Sequence, residues 1–348
     1  MPDFPKSFAS GRYEVERPLG EGGRKDVYLA RDTRLDRNVV VAWIKAAALE
    51  QGEHERLKLE VAALARLGGH PNIVTILDAG EEEDRPYVVT EFMAGESVAL
   101  GLGKQPDHRL SLGDALHVTR QMAEALSHAH ARGILHRDLK PANVWRDGKG
   151  NVKLGDFGLA LFLDRPRVTS SGSVVGTPEY MSPEQALGQP LGPQTDLYAL
   201  GAMLYELLAG RPPFRADTPI AIVSQHIHAA PVAPSWHVDG LPHEVDQLVL
   251  RLLSKSMEDR LPSAEDVCDA IHAIEGRRFD SGSPETERKR NPLDRLARGL
   301  FVGRADEMSR LRAALEEALA GRASLALIAG EAGIGKTRLA QELSLIHI

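Results

Sequence analysis

The chain has 348 residues, 26% charged and 43% hydrophobic, with a formal net charge of −7. That balance belongs to a globular protein with room for about two domains, and the lack of a basic excess argues against nucleic-acid binding by the whole chain. A single cysteine, Cys268, excludes an internal disulfide and a cysteine-based metal site. No run reaches the ~18 apolar residues of a membrane span, and the N-terminus lacks the basic-then-apolar order of a signal peptide, so the expectation is a cytoplasmic protein with no membrane partner.

Residues 1–12 read as a loose tail. From Tyr13 to about Glu91 short apolar runs alternate with one amphipathic helix. Val39–Ile44, Ile73–Leu77 and Tyr87–Thr90 read as strands. Leu57, Val61, Leu64 and Leu67 recur at helical spacing over about residues 53–67, and Gly68-Gly69 ends that helix. From Leu112 onward the pattern is mainly helical. The stretch Asp196–Leu208 is apolar nearly all round, as a buried central helix would be. Residues 276–298 change character and carry the charge run Glu287-Arg288-Lys289-Arg290, which reads as a solvated linker, with a basic docking patch as the alternative. A helix to about Ala320 and an apolar strand over Leu325–Ile328 follow.

The chemistry is concentrated in two strings. His136-Arg137-Asp138-Leu139-Lys140-Pro141-Ala142-Asn143 places a carboxylate, an ammonium and an amide in one loop; Asp156-Phe157-Gly158 adds a second carboxylate. Together they supply a group to receive a hydroxyl proton and oxygen ligands for a hard cation such as Mg²⁺. Upstream, Leu19-Gly20-Glu21-Gly22-Gly23-Arg24-Lys25-Asp26-Val27 is a glycine-rich turn whose backbone could approach phosphates closely.

These motifs resemble the Hanks-type serine/threonine protein kinases of bacteria, over about Tyr13 to Glu275. The resemblance implies an α+β, two-lobed fold: a β-rich N-lobe with one regulatory helix over about 13–91, and a mainly helical C-lobe over about 94–275. It implies ATP and Mg²⁺, or Mn²⁺, as cofactors and proteins as substrates. Asp138 would be the catalytic base and Lys140 its partner at the transferred phosphoryl group, with Asn143 and Asp156 the metal ligands. Lys45, at the end of Val41-Ala42-Trp43-Ile44-Lys45, would hold the nucleotide phosphates and pair with Glu60. Leu19, Gly20, Gly22, Gly23, Val27, Ala42, Glu91 and Met93 would bind the nucleotide, with Thr90 beside the adenine and Trp145 under it. The third glycine of the family's loop is replaced by Lys25. Ser182-Pro183-Glu184 would pair with Arg260, and Asp196 would anchor the catalytic loop.

Arg137, next to the catalytic aspartate, calls for a counter-anion. A phosphate on the segment after Asp156 would supply one; Thr169 and Ser171 align as the phosphosites, and Thr177 as the threonine contacting Asp138 and Lys140. A homodimer would suit phosphorylation in trans.

Gly330-Glu331-Ala332-Gly333-Ile334-Gly335-Lys336-Thr337 satisfies the P-loop pattern, in which Gly330 and Gly335 shape the loop, Lys336 neutralises phosphate and Thr337 ligates Mg²⁺. With Phe301-Val302-Gly303-Arg304 before it, it resembles the start of AAA-type or STAND ATPases. The sequence ends eleven residues beyond Thr337, so residues 299–348 are expected to form an incomplete P-loop α/β stub. Two other readings stay open at this point: a nucleotide-binding pseudokinase, or a P-loop regulatory ATPase or transcriptional regulator with a kinase head.

Overall fold

The computed structural model describes residues 4–21, 25–45, 67–147, 149–157, 178–281, 305–319 and 326–329. Residues 53–66 of the expected helix, Glu60 among them, and Gly22, Gly23, Thr169, Ser171, Thr177 and the P-loop residues Gly330, Gly335, Lys336 and Thr337 lie outside them.

The N-lobe is an antiparallel six-stranded sheet: β1 (Ser7–Phe8), β2 (Tyr13–Glu21), β3 (Lys25–Asp32), β4 (Arg37–Ile44), β5 (Ile76–Glu82) and β6 (Arg85–Glu91), in the order β1-β2-β3-β4-β6-β5. β-branched residues at Val39, Val40 and Val41 favour the central strand. One face carries an aromatic cluster. Phe8 lies edge-on to Trp43 at 5.5 Å and 5.3 Å from Tyr87, and the Arg85 guanidinium stacks 3.4 Å over Trp43. The opposite face turns toward the helical lobe.

The expected loose tail is corrected here. Phe8 is fully buried, β1 pairs with β2, and Arg12 bonds both Asp32 and Asp78. Residues 4–12 therefore close the aromatic layer of the sheet. Isolated aromatics among Pro, Ser and Gly carry no periodicity, which hid this. The strand expected from Ile73 starts at Ile76 instead. Ile73 forms a parallel bridge to Leu154, and Val74 donates to the Leu154 carbonyl at 2.9 Å, so residues 72–74 stitch the two lobes together. Asn72 adds bonds from its side-chain amide to Gln121 and to the Val152 carbonyl.

The C-lobe opens with α1 (Val98–Gly103) and α2 (Leu112–His130), capped by Ser97 and Ser111. The hairpin β7 (Val144–Arg146) and β8 (Val152–Leu154) follows. Then come α3 (Pro183–Ala186), with a Ser182/Gln185 capping box, α4 (Pro193–Ala209), α5 (Pro219–His228), α6 (His243–Leu252) and α7 (Ala264–Ser281). As expected, α4 is buried nearly all round. Gly201 lets α6 approach: a Cβ there would lie 2.6 Å from the Leu252 Cβ. α4 ends at Gly210, whose φ of +70° suits the left-handed cap.

α7 continues to Ser281, past the boundary expected at 275. α8 (Ala305–Leu319) lays Leu315 against the core of the helical lobe. Residues 326–329 form no strand and Leu327 is exposed, which corrects the strand expected at 325–328. An apolar run needs a neighbouring strand to pair with, and among the described residues it has none.

Candidate active site

The site is built on one buried carboxylate. Asp196, in the first turn of α4, accepts the backbone N–H groups of His136 at 2.8 Å and Arg137 at 2.7 Å, and the His130 ring at 2.8 Å. Burial pushes its carboxyl up, but the hydrogen bond and charge of His130, with help from His136, outweigh that and hold it below its ordinary value. These bonds steady a strained turn: Arg137 has φ of +66°. The Arg137 carbonyl is held from the other side by the Gln185 side chain at 2.7 Å.

His136 couples this loop to the second string. Its Nε2 lies 2.9 Å from the Gly155 carbonyl, which can only accept, so Nε2 carries the proton. Nδ1 is then free to accept the Asp138 N–H at 3.3 Å. The ring also packs edge-on to the buried Phe157 at 4.7 Å. Asp156, between Gly155 and Phe157, has φ of +59°.

Asp138, Lys140 and Asn143 come together as expected. Lys140 Nζ is 2.7 Å from the Asp138 carboxylate. Asn143 Nδ2 donates to the Asp138 carbonyl at 2.8 Å and to its carboxylate at 3.2 Å. A carbonyl only accepts, so this bond fixes the amide orientation and leaves the Asn143 oxygen for another partner. An amide oxygen and the Asp156 carboxylate are hard donors that fit a divalent cation such as Mg²⁺.

Beside the loop, between the sheet and β7–β8, is a cavity of about 420 Å³. Leu19, Gly20, Val27 and Ala42 line one wall, and Thr90, Glu91 and Met93 border it along the connection between lobes. Trp145 lines it too, and Asp156 and Phe157 close one end. The Glu91 carboxylate is tied to Lys153 at 2.6 Å and the Thr75 N–H at 2.7 Å. Burial raises its pKa, but these partners outweigh that and lower it overall.

Lys45 departs from the expectation. It is not among the cavity's lining residues; its ammonium pairs with Asp26 at 2.9 Å. The lysine that does line the cavity is Lys25, whose ammonium lies 2.7 Å from Asp156. Sequence reasoning missed Lys25 and Val40 as site residues, although strand alternation carried the signal: Val40 and Ala42 share a face, and a residue three beyond Ala42 does not follow them.

Glu184 and Arg260 brace the lower lobe. They form two hydrogen bonds, at 2.7 and 2.8 Å, with both side chains buried, and Arg260 also donates to the carbonyls of Ser254, Gln194 and Lys255. Burial pushes the Glu184 carboxyl up, and Arg260 outweighs it to give a net lowering.

A sheet-rich lobe, a helical lobe, an apolar cavity between them and a carboxylate–lysine–amide loop at its edge define a two-lobed kinase domain. The protein kinase domain family matches residues 13–271, and the AAA ATPase domain family matches residues 300–346. The serine/threonine-protein kinase PksC of Streptomyces coelicolor is 41% identical over 273 residues, covering 76% of this chain and 49% of that relative. The serine/threonine-protein kinase PknB of Mycobacterium leprae is 36% identical over 309 residues, covering 86% of this chain and 49% of its own length. Among solved structures, the Mycobacterium tuberculosis PknI kinase domain is similar with a TM-score of 0.62 and 26% identity, covering 78% of this chain and 99% of that one. The chain belongs to the protein kinase family, whose members use ATP and a divalent metal ion, and its curated relatives are serine/threonine kinases. It spans about half the length of those relatives. Among the described residues, no helix is long and apolar enough to cross a membrane.

Proposed function

We propose that this protein transfers the γ-phosphate of ATP to serine and threonine hydroxyls of proteins, as a signalling kinase that also phosphorylates itself. The observation that carries this reading is the Asp138–Lys140–Asn143 cluster, held on a loop that Asp196 anchors from below. The cavity takes the adenine between Val27 and Ala42 on one wall and Trp145 on another, with the backbone of Glu91 and Met93 at its edge. Asp138 accepts a hydrogen bond from the substrate hydroxyl and orients its oxygen toward the γ-phosphorus. As the new O–P bond forms, the bond to the β–γ bridging oxygen breaks, ADP leaves and the hydroxyl proton passes to Asp138. Lys140 stays beside the transferred group and offsets its charge. A Mg²⁺ or Mn²⁺ ion held by Asn143 and Asp156 would neutralise phosphate charge.

Activation is assigned to the segment after Asp156, whose hydroxyls include Thr169 and Ser171. A phosphate on Thr169 or Ser171 carries about −1.5 to −2 charges and accepts several charge-assisted hydrogen bonds. The full chain incubated with ATP and Mg²⁺ should gain phosphate within residues 167–173, mapped by mass spectrometry. Phosphatase treatment should lower its rate on an added protein several-fold, and Thr169→Ala with Ser171→Ala should match the treated state. A fully active double variant with no phosphate in this segment would place control elsewhere.

The match of residues 300–346 to AAA ATPases supports one addition: in the longer protein, this kinase serves as the head of a P-loop regulatory ATPase.

A further inference from the structure

Two lysines stand near the open end of the β3–β4 hairpin, and the strands send them to opposite sides. Lys25 pairs with Ile44 across the sheet, Asp26 with Trp43 and Val27 with Ala42. Successive side chains alternate between faces, so Lys25 and Val27 share one face with Ala42 and Ile44. That is the cavity face: Lys25, Val27, Val40 and Ala42 all line the cavity. Asp26 and Trp43 take the other face, where Trp43 joins the aromatic cluster. Lys45, two residues beyond Trp43, follows it there. Its ammonium meets Asp26, which also lies 3.8 Å from Arg85.

Resting on the kinase reading above, we infer that Lys25, rather than Lys45, is the lysine that holds the phosphates of the bound nucleotide. The cavity-lining residues of β4 are Val40 and Ala42, so among the described residues that strand supplies no cation to a polyphosphate there. Lys25 supplies one from the facing strand. Its ammonium already lies 2.7 Å from the carboxylate of Asp156, the residue assigned to the metal, so it reaches the place where metal and phosphates must meet. The side chain is a point charge on a flexible four-carbon stem, suited to moving between a carboxylate and an adjacent phosphate oxygen. Lys25 also follows the glycine-rich sequence that begins at Gly20, and Gly20 itself lines the cavity. On this assignment Lys25 replaces the family's third loop glycine, and the charge expected from β4 enters from β3.

The test uses the full chain and three variants: Lys25→Met, Lys25→Gln and Lys45→Met. Affinities for ATP and for adenosine are measured for each by calorimetry, and phosphotransfer by labelled ATP. Both Lys25 variants should bind adenosine as the unaltered chain does, lose at least tenfold in ATP affinity, and lose about 10²–10³-fold in transfer, the usual cost of removing one donor aimed at developing charge. Lys45→Met should lose at least tenfold less on both ATP readouts. Retained adenosine binding shows that the fold and cavity persist. The assignment is overturned if the Lys25 variants keep the preference for ATP over adenosine, or if Lys45→Met loses as much or more. An unaltered chain that binds ATP without transferring phosphate would remove the kinase reading, while the two affinities would still decide which lysine meets the phosphates.

Discussion

Asp138→Asn should abolish most phosphotransfer while leaving ATP binding nearly intact. The substitution keeps the size of the side chain but takes away the charge that Lys140 pairs with and the acceptor that orients the hydroxyl. Groups of this kind contribute about 10²–10⁴-fold to rate, so kcat should fall by that factor. The loop should keep its shape, because its anchors are the bonds from His136 and Arg137 to Asp196 and the Asn143 bond to the Asp138 carbonyl, and neither uses the Asp138 carboxylate. Steady-state kinetics alongside nucleotide titration separates the two effects. Turnover within threefold of the unaltered chain would show that Asp138 is not the group that positions the hydroxyl.

Arg260→Ala should be the most destabilising single change outside the core. It strands the Glu184 carboxylate, which is only 2% exposed, and removes donors from three carbonyls. Breaking a buried pair from one side costs about 3–5 kcal/mol, which lowers the Tm of a domain this size by roughly 10 °C. Replacing both partners with apolar residues, Arg260→Met with Glu184→Leu, should recover part of the loss, since no lone charge then stays buried. The pair also predicts the acid limb of stability. The folded Glu184 carboxyl sits below its ordinary value, so its contribution is present above about pH 4.3, the unfolded value, and is lost as the pH falls through the folded one. Arg260→Ala should therefore flatten the fall in Tm below that pH. Thermal melts from pH 3 to 7 read both effects; a Tm change under 2 °C at neutral pH would remove the brace from the account.

What could be read in the sequence and what could not divide along a physical line. The candidate catalytic loop was legible because its residues are close in sequence and their chemistry is local: Asp138, Lys140 and Asn143 meet within one turn. The buried helix α4 announced itself through a continuous apolar run, and Glu184 with Arg260 through the resemblance. Features that depend on which face of a strand a side chain takes were less legible. Lys45 reads as the phosphate lysine if Val41–Lys45 is matched as a string. It reads as an outward residue once the period of two is counted from Ala42, and Lys25 then takes the inner face. The burial of Phe8 was hidden for a different reason. It depends on partners at Trp43 and Tyr87, brought together only by the finished sheet. The bridge from Ile73 to Leu154 likewise joins segments far apart in the chain, and no local pattern marks it.

The most direct test of the central claim is transfer of the terminal phosphate itself. The full chain is incubated with γ-labelled ATP, Mg²⁺ and an added protein substrate, beside Asp138→Asn, and the labelled protein is hydrolysed to identify the phosphoamino acids. Phosphoserine and phosphothreonine, without phosphotyrosine, are expected in the unaltered chain's reaction, with label in the variant's reduced about 10²-fold or more. Nucleotide binding with no more label than the Asp138→Asn control would contradict that claim.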